Sequence, residues 1–112
     1  MAVFAIHYTY PDDATEMLKI RPEHREWLTS VPGLLVAGMY QEGHDEVSEG
    51  EPTDEEPRNG ALIVVEAGSL GEVTSLFDQD PYWLNGYILR RVVRTWNPPL
   101  GAWVADPANS PG

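Results

Sequence analysis

Residues 61–73 read ALIVVEAGSLGEV, a strand followed within a few positions by a helix start. The run ALIVVEA (61–67) is nearly continuous in β-branched and aliphatic side chains, as a central strand buried on both faces requires. Ser69 and Glu72 have the spacing of a capping box, in which the hydroxyl and the carboxylate satisfy free amides at the helix start. The helix carries Leu70, Val73, Leu76 and Phe77, and Asp80-Pro81 ends it, because proline disfavours helical geometry in the residue before it. Tyr82-Trp83-Leu84 suits a short turn, closed by the left-handed tolerance of Asn85-Gly86. YILRRVVRTW (87–96) reads as a final strand.

The first half of the chain has the matching parts. VFAIHYTY (3–10) alternates Phe4, Ile6, Tyr8 and Tyr10 against Val3, Ala5, His7 and Thr9, giving one large apolar face and one smaller, partly polar face. Pro11-Asp12-Asp13 breaks that strand and offers caps for a helix from about Ala14 to Val31. Pro22 lacks an amide proton and clashes with the carbonyl of Leu18, so a kink or a fresh helix start is expected there. Pro32-Gly33 ends the helix, and LLVAGMY (34–40) is the second strand. The order β-α-β-β-α-β predicts an α+β fold, the ferredoxin-like sandwich: a four-stranded antiparallel sheet with two helices on one face. The uncovered face exposes apolar side chains, and for a small protein that predicts a homodimer.

Composition narrows the function classes. The 112 residues suit one domain with one core. Cysteine is absent, which excludes disulfides, a thiolate nucleophile and cysteine-ligated metal. The start MAVFAIHYTY has no basic n-region of a signal peptide, and no run approaches the ~20 apolar residues of a membrane span. A cytoplasmic location without membrane contact is expected. A net charge of −11 argues against nucleic acid, whose phosphates need a basic face. Residues 41–60 hold eight carboxylates against one arginine, a local charge of −7 that leaves −4 elsewhere. So charged and apolar-poor a segment cannot offset its ordering entropy by burial, and residues 43–58 are expected to be a mobile hairpin loop with His44 inert. Its carboxylates lack the spacing of a calcium loop, and the three histidines lack ligand spacing, so no metal is expected. The domain is read as residues 1–97, followed by a Pro/Gly-rich tail over 98–112.

His24 breaks the pattern. In RPEHREWL (21–28), at about 100° per residue, Met17, Ile20, Trp27, Leu28 and Val31 fall within roughly 60° of it. An imidazole inside an apolar stripe needs a partner, since an unpaired buried polar group costs on the order of 1–3 kcal/mol. A satisfied core histidine and an outward rotation at Pro22 both remain open from this phrase alone.

Arg21-Pro22-x-His24-x-x-x-Leu28, followed by Gly33-Leu34-Leu35-x-x-Gly38, resembles the start of the YCII (YciI-like) family. Ala67-x-Ser69-Leu70, Asp78-x-Asp80-Pro81-Tyr82, Gly86 and Trp96 continue the resemblance, which spans about residues 3–97. It implies a dimeric α+β barrel similar to muconolactone isomerase, with His24 and Asp80 as a catalytic dyad. It also implies lyase-like chemistry, including dehydrochlorination of hydroxylated aromatics. The long acidic loop and the Pro-rich tail depart from that pattern.

A histidine held by a carboxylate suits general acid–base work on a phenol or on carbon beside a carbonyl. Asp80 can equally be a plain helix stop, and Asp78 can serve as the partner in its place. Arg90 and Arg94 share a strand face with Ile88, Val92 and Trp96 and can hold an anionic ligand or local salt bridges. Arg21 is a second anion candidate. His7 points away from the Phe4 face, either lining the barrel interior or satisfied at an interface. The leading expectation is a small cofactor-free enzyme, lyase- or isomerase-like, acting on a small-molecule ligand. The alternatives are a non-catalytic ligand-binding or regulatory dimer and a cofactor-free monooxygenase of the same fold.

Overall fold

The structure is a computed structural model and describes residues 1–40, 47–51 and 59–104. The expected mobile loop falls largely outside the described residues, as do His44 and the end of the tail.

Among the described residues eight elements follow one another: β1 (Ala2–Thr9), α1 (Thr15–Leu18), α2 (Arg21–Thr29), β2 (Leu34–Met39), β3 (Gly60–Ala67), α3 (Leu70–Phe77), α4 (Pro81–Leu84) and β4 (Arg90–Thr95). The strands form one antiparallel sheet in the order β2-β3-β1-β4. This is the expected ferredoxin-like α+β arrangement. The alternation of β1 decides which face is covered. Phe4, Ile6 and Tyr8 are buried in one cluster with Met17, Val73 and Phe77 from the helices, whereas His7 between them is exposed. Cross-strand partners share a face, so Ile63 and Val65 of β3 join that core, and Leu62, Val64 and Glu66 turn to the open side with His7. Within the single chain β3 is therefore less enclosed on its second face than its continuous apolar run suggests, with Leu62 and Glu66 only half-buried.

Two glycines fit the chain to the sheet. Gly33 adopts φ 79°, and a Cβ there would run into the carbonyl of Glu66, whose own amide bonds the Gly33 carbonyl at 2.8 Å. Gly60 lies against the backbone carbonyl of Tyr8, an approach no side chain permits. Ser69 caps the helix as expected, accepting the Glu72 amide on its hydroxyl, while the Glu72 carboxylate accepts the amide of Gly68, one residue before the N-cap.

One expectation is met and one element departs. The first helix is two pieces, because Pro22 cannot donate to Leu18; the chain tightens through Ile20 and restarts with Pro22 in the opening turn of α2, where a missing amide costs nothing. The last strand begins at Arg90, three residues late. Gly86 turns the chain at φ 74°, the Tyr87 amide bonds back to the Tyr82 carbonyl, and Ile88 drops into the core.

Candidate active site

Three elements converge under α2. Tyr8 belongs to the helix-facing set of β1, and Asp80 sits at the N-cap of α4. His24 keeps its inward direction because α2 restarts with its apolar stripe toward the sheet. Asp80 is fully enclosed at 0 % exposure and His24 nearly so at 5 %. A buried carboxylate needs donors, and Asp80 has three. Its Oδ1 accepts the Tyr82 amide at 2.8 Å, while its Oδ2 accepts the Tyr8 hydroxyl at 2.7 Å and meets His24 Nε2 at 3.1 Å.

That geometry sets the histidine tautomer. An ionised carboxylate only accepts, so Nε2 carries the ring proton and Nδ1 the lone pair. Packing holds the ring as well: it stacks on Tyr82 at 3.7 Å and 10°, with Trp27 further off at 6.4 Å. Tyr10 meets the other ring edge-on, 5.9 Å from Tyr82. Burial pushes the Tyr8 phenol far above its ordinary range, and the charge and hydrogen bond of Asp80 push it further, so Tyr8 remains a donor. Burial likewise raises Tyr10 and Tyr82; the guanidiniums of Arg21 and Arg25 pull Tyr82 the other way without cancelling the effect.

His24 lines a pocket of about 140 Å³ between α2, the sheet and Tyr82. Tyr10, Leu28 and Ile63 supply apolar wall, and Arg21 and Arg25, at i and i+4, stand on one flank of the histidine. Asp80 is not part of that wall; it lies behind it, bonded to two of the lining residues, His24 and Tyr82.

The family model of the YCII-related domain matches residues 1–97. The chain belongs to the YCII family. Among solved structures this YCII chain is similar to 5-chloro-2-hydroxyhydroquinone dehydrochlorinase (TftG) from Burkholderia phenoliruptrix AC1100, determined as a complex with 2,5-dihydroxybenzoquinone. The likeness has a TM-score of 0.62 at 22% identity and covers 84% of this chain and 92% of that one. A second match is protein Atu4242 from Agrobacterium tumefaciens, with a TM-score of 0.49 and 18% identity over 88% of this chain and 93% of that one. No curated protein matches the sequence. The likeness to the dehydrochlorinase is one of fold.

The structure brings together three of the residues singled out from the sequence: His24, Asp80 and Arg21. Asp78 does not reach His24. It pairs with Arg91, whose guanidinium lies 3.8 Å over the Trp83 ring. Arg90 and Arg94 register with Thr9 and Ala5, so both project from the open face of the sheet, away from the dyad. Ile88 does not share their face, since it precedes the strand and is buried. His7 is on the open face too, its Nδ1 3.3 Å from the Tyr40 hydroxyl. Three residues of this region carry no motif in the sequence: Tyr8, Arg25 and Arg91. The even-numbered alternation of β1 was the available signal for Tyr8, and the i,i+4 spacing from Arg21 the signal for Arg25.

Among the described residues no group of three or more His, Asp or Glu side chains is placed to hold a metal ion, and no helix is long and apolar enough to cross a membrane.

Proposed function

We propose that this YCII chain is a small enzyme in which His24 is the acid–base group for a proton transfer on a small aromatic or carbonyl-containing substrate, lyase- or isomerase-like in outcome. The observation that carries this reading is the wholly enclosed Asp80, which turns Oδ2 onto His24 Nε2 while His24 lines a pocket. A core histidine needs a hydrogen-bond partner; it does not need a place on the wall of a cavity.

In the proposed reaction His24 Nδ1 takes a proton from a substrate hydroxyl or from carbon beside a carbonyl. The positive charge that develops on the ring is offset by Asp80, which Tyr8 and the Tyr82 amide hold in place. The proton then returns to another substrate atom in an isomerisation, or leaves with the departing group as acid in an elimination. The structurally similar dehydrochlorinase was determined with 2,5-dihydroxybenzoquinone. That ring carries acidic hydroxyls beside carbonyls, and it is the kind of compound proposed for the present pocket. Asp80 serves as a positioning residue, and Tyr8 positions Asp80.

Two assays test the proposal: chloride release from 5-chloro-2-hydroxyhydroquinone, and deuterium uptake from D₂O into the ring positions of hydroxyhydroquinone. His24→Asn is expected to lower either rate by about 10²–10⁴-fold, the usual worth of general acid–base help, with folding intact by circular dichroism. Equal rates in the wild type and His24→Asn overturn the assignment. Wild-type rates at solvent background in both assays favour a ligand-binding protein.

A further inference from the structure

We infer that the pocket beside His24 takes its ligand as an anion: a single planar ring carrying a negatively charged oxygen group, held by Arg21 and Arg25. This inference rests on the reading of His24 as the working group of the pocket, and it names the class of ligand that group acts upon.

Charge is the first observation. The protein carries −11 overall, yet among the described residues both charged side chains on the pocket wall are arginines, and no carboxylate shares it. Among the described residues neither guanidinium is paired with an acid, although Glu23 and Glu26 lie on the same helix. Arg21 is half-buried, and its neighbours are neutral: the Tyr82 phenol, with which it shares a hydrogen bond, and the Met39 thioether, 3.5 Å from one of its terminal nitrogens and a weak acceptor. A partly desolvated guanidinium gains most from an ionised oxygen, and its planar fork suits a carboxylate or phenolate better than a neutral group does. Asp80 does not fill this role, because its Oδ2 is occupied by Tyr8 and His24 and its Oδ1 by the Tyr82 amide.

Volume is the second observation. A dry cavity of about 150 Å³ holds one benzene ring. The pocket, at about 140 Å³, is therefore of a size to hold one ring. Position is the third. Arg21 and Arg25 lie one helical turn apart on the same flank of His24, so an anionic group bound between them sets the attached ring beside the imidazole.

Benzoate and its uncharged isostere benzamide test the inference on the full chain. Each is titrated while the His24 ring resonances are followed by long-range ¹H–¹⁵N correlation. Benzoate is expected to shift the His24 signals with a Kd of about 1 mM or tighter, as suits a fragment of its size. Benzamide should bind at least about tenfold more weakly, since it forgoes the charge-assisted bonds. Arg21→Gln and Arg25→Gln should each weaken benzoate by roughly tenfold and leave benzamide unchanged. Equal affinity for the two ligands overturns the inference on the wild-type chain alone, whatever the variants do. So does benzoate binding that leaves the His24 resonances unmoved, or no benzoate binding at about 10 mM. None of these results alters the rate comparison between the wild type and His24→Asn, so the two proposals fail separately.

Discussion

Replacing Asp80 with asparagine keeps the shape of the site and changes one thing, the direction of its hydrogen bonds. The Tyr82 amide donates to Oδ1 at 2.8 Å, so the asparagine carbonyl takes that place and the NH₂ group takes the place of Oδ2. That NH₂ then faces the Tyr8 hydroxyl and His24 Nε2, both of which donate in the native protein. Nε2 can adapt only by giving up its proton, which moves to Nδ1 and blocks the nitrogen that would act as base. The Tyr8 hydroxyl can accept from the amide, but its own hydrogen loses its acceptor in a residue 2 % exposed. An orphaned buried donor together with a lost charge-assisted bond costs about 2–3 kcal/mol. With 112 residues at about 2.1 cal/mol/K each, the unfolding entropy is about 0.24 kcal/mol/K, so Tm should fall by about 10 °C. Turnover should fall by about 10⁴-fold, as it does when a catalytic histidine is locked in the wrong tautomer. The assay is the ¹⁵N shift of the imidazole nitrogens in both proteins, with thermal melts alongside. A proton on Nδ1 in the wild type, or one that stays on Nε2 in Asp80→Asn, refutes the reasoning.

Gly33→Ala combines a left-handed backbone with a collision against the Glu66 carbonyl, and should lower stability by about 2 kcal/mol or more in a denaturant titration. Tyr8 and Tyr10 are raised by burial, so the folded state holds their protons after the unfolded chain has released them at its ordinary value of 10.0. Stability should therefore be level below that pH and fall above it, by about 1.4 kcal/mol per pH unit for each tyrosine; equal stability at about pH 9 and about pH 11 contradicts this. The open sheet face, with Val36, Val64 and Val92 beside His7, Arg90 and Arg94, is expected to bury about 1,200–2,000 Å² in a homodimer. Light scattering at micromolar concentration should then give twice the 12.5 kDa of one chain, and a monomer removes the expectation.

What could be read from the sequence followed the range of the forces involved. The capping box at Ser69 and Glu72, the stop at Asp80-Pro81 and the break at Pro22 are decided by neighbours a few positions away, and each stands where local chemistry puts it. The faces of β4 were not decidable in that way. In RRVVRT the even positions hold Arg90, Val92 and Arg94, while the odd ones hold Arg91, Val93 and Thr95, so alternation gives both faces an arginine and a valine. Only the register against β1, which sets Arg91 opposite Tyr8, turns Arg91 toward the helices and leaves Arg90 and Arg94 outside. The pairing of His24 with Asp80 spans 56 positions. The apolar stripe of α2 signals that the histidine faces inward and needs a partner; which of the two nearby aspartates meets it depends on how α3 ends.

That ending also resolves the two readings of Asp80, as a helix stop and as the partner of a histidine. A carboxylate has two oxygens, and here they do different work. Oδ1 caps α4 by accepting the Tyr82 amide, which fixes the side chain relative to the backbone. Oδ2 is thereby aimed into the core, where Tyr8 and His24 meet it. Pro81 contributes by having no amide to compete for the carboxylate and by setting the first turn of α4. The cap is thus the device that orients the Asp80 contact with His24, and Tyr82, whose amide is capped, is the same residue whose ring stacks on His24. Asp80→Ser, which can still cap the helix but is too short to reach the imidazole, separates the two functions. It should retain α4 and most of the fold while His24 loses its tautomer preference, whereas a helix stop alone predicts no change at the histidine.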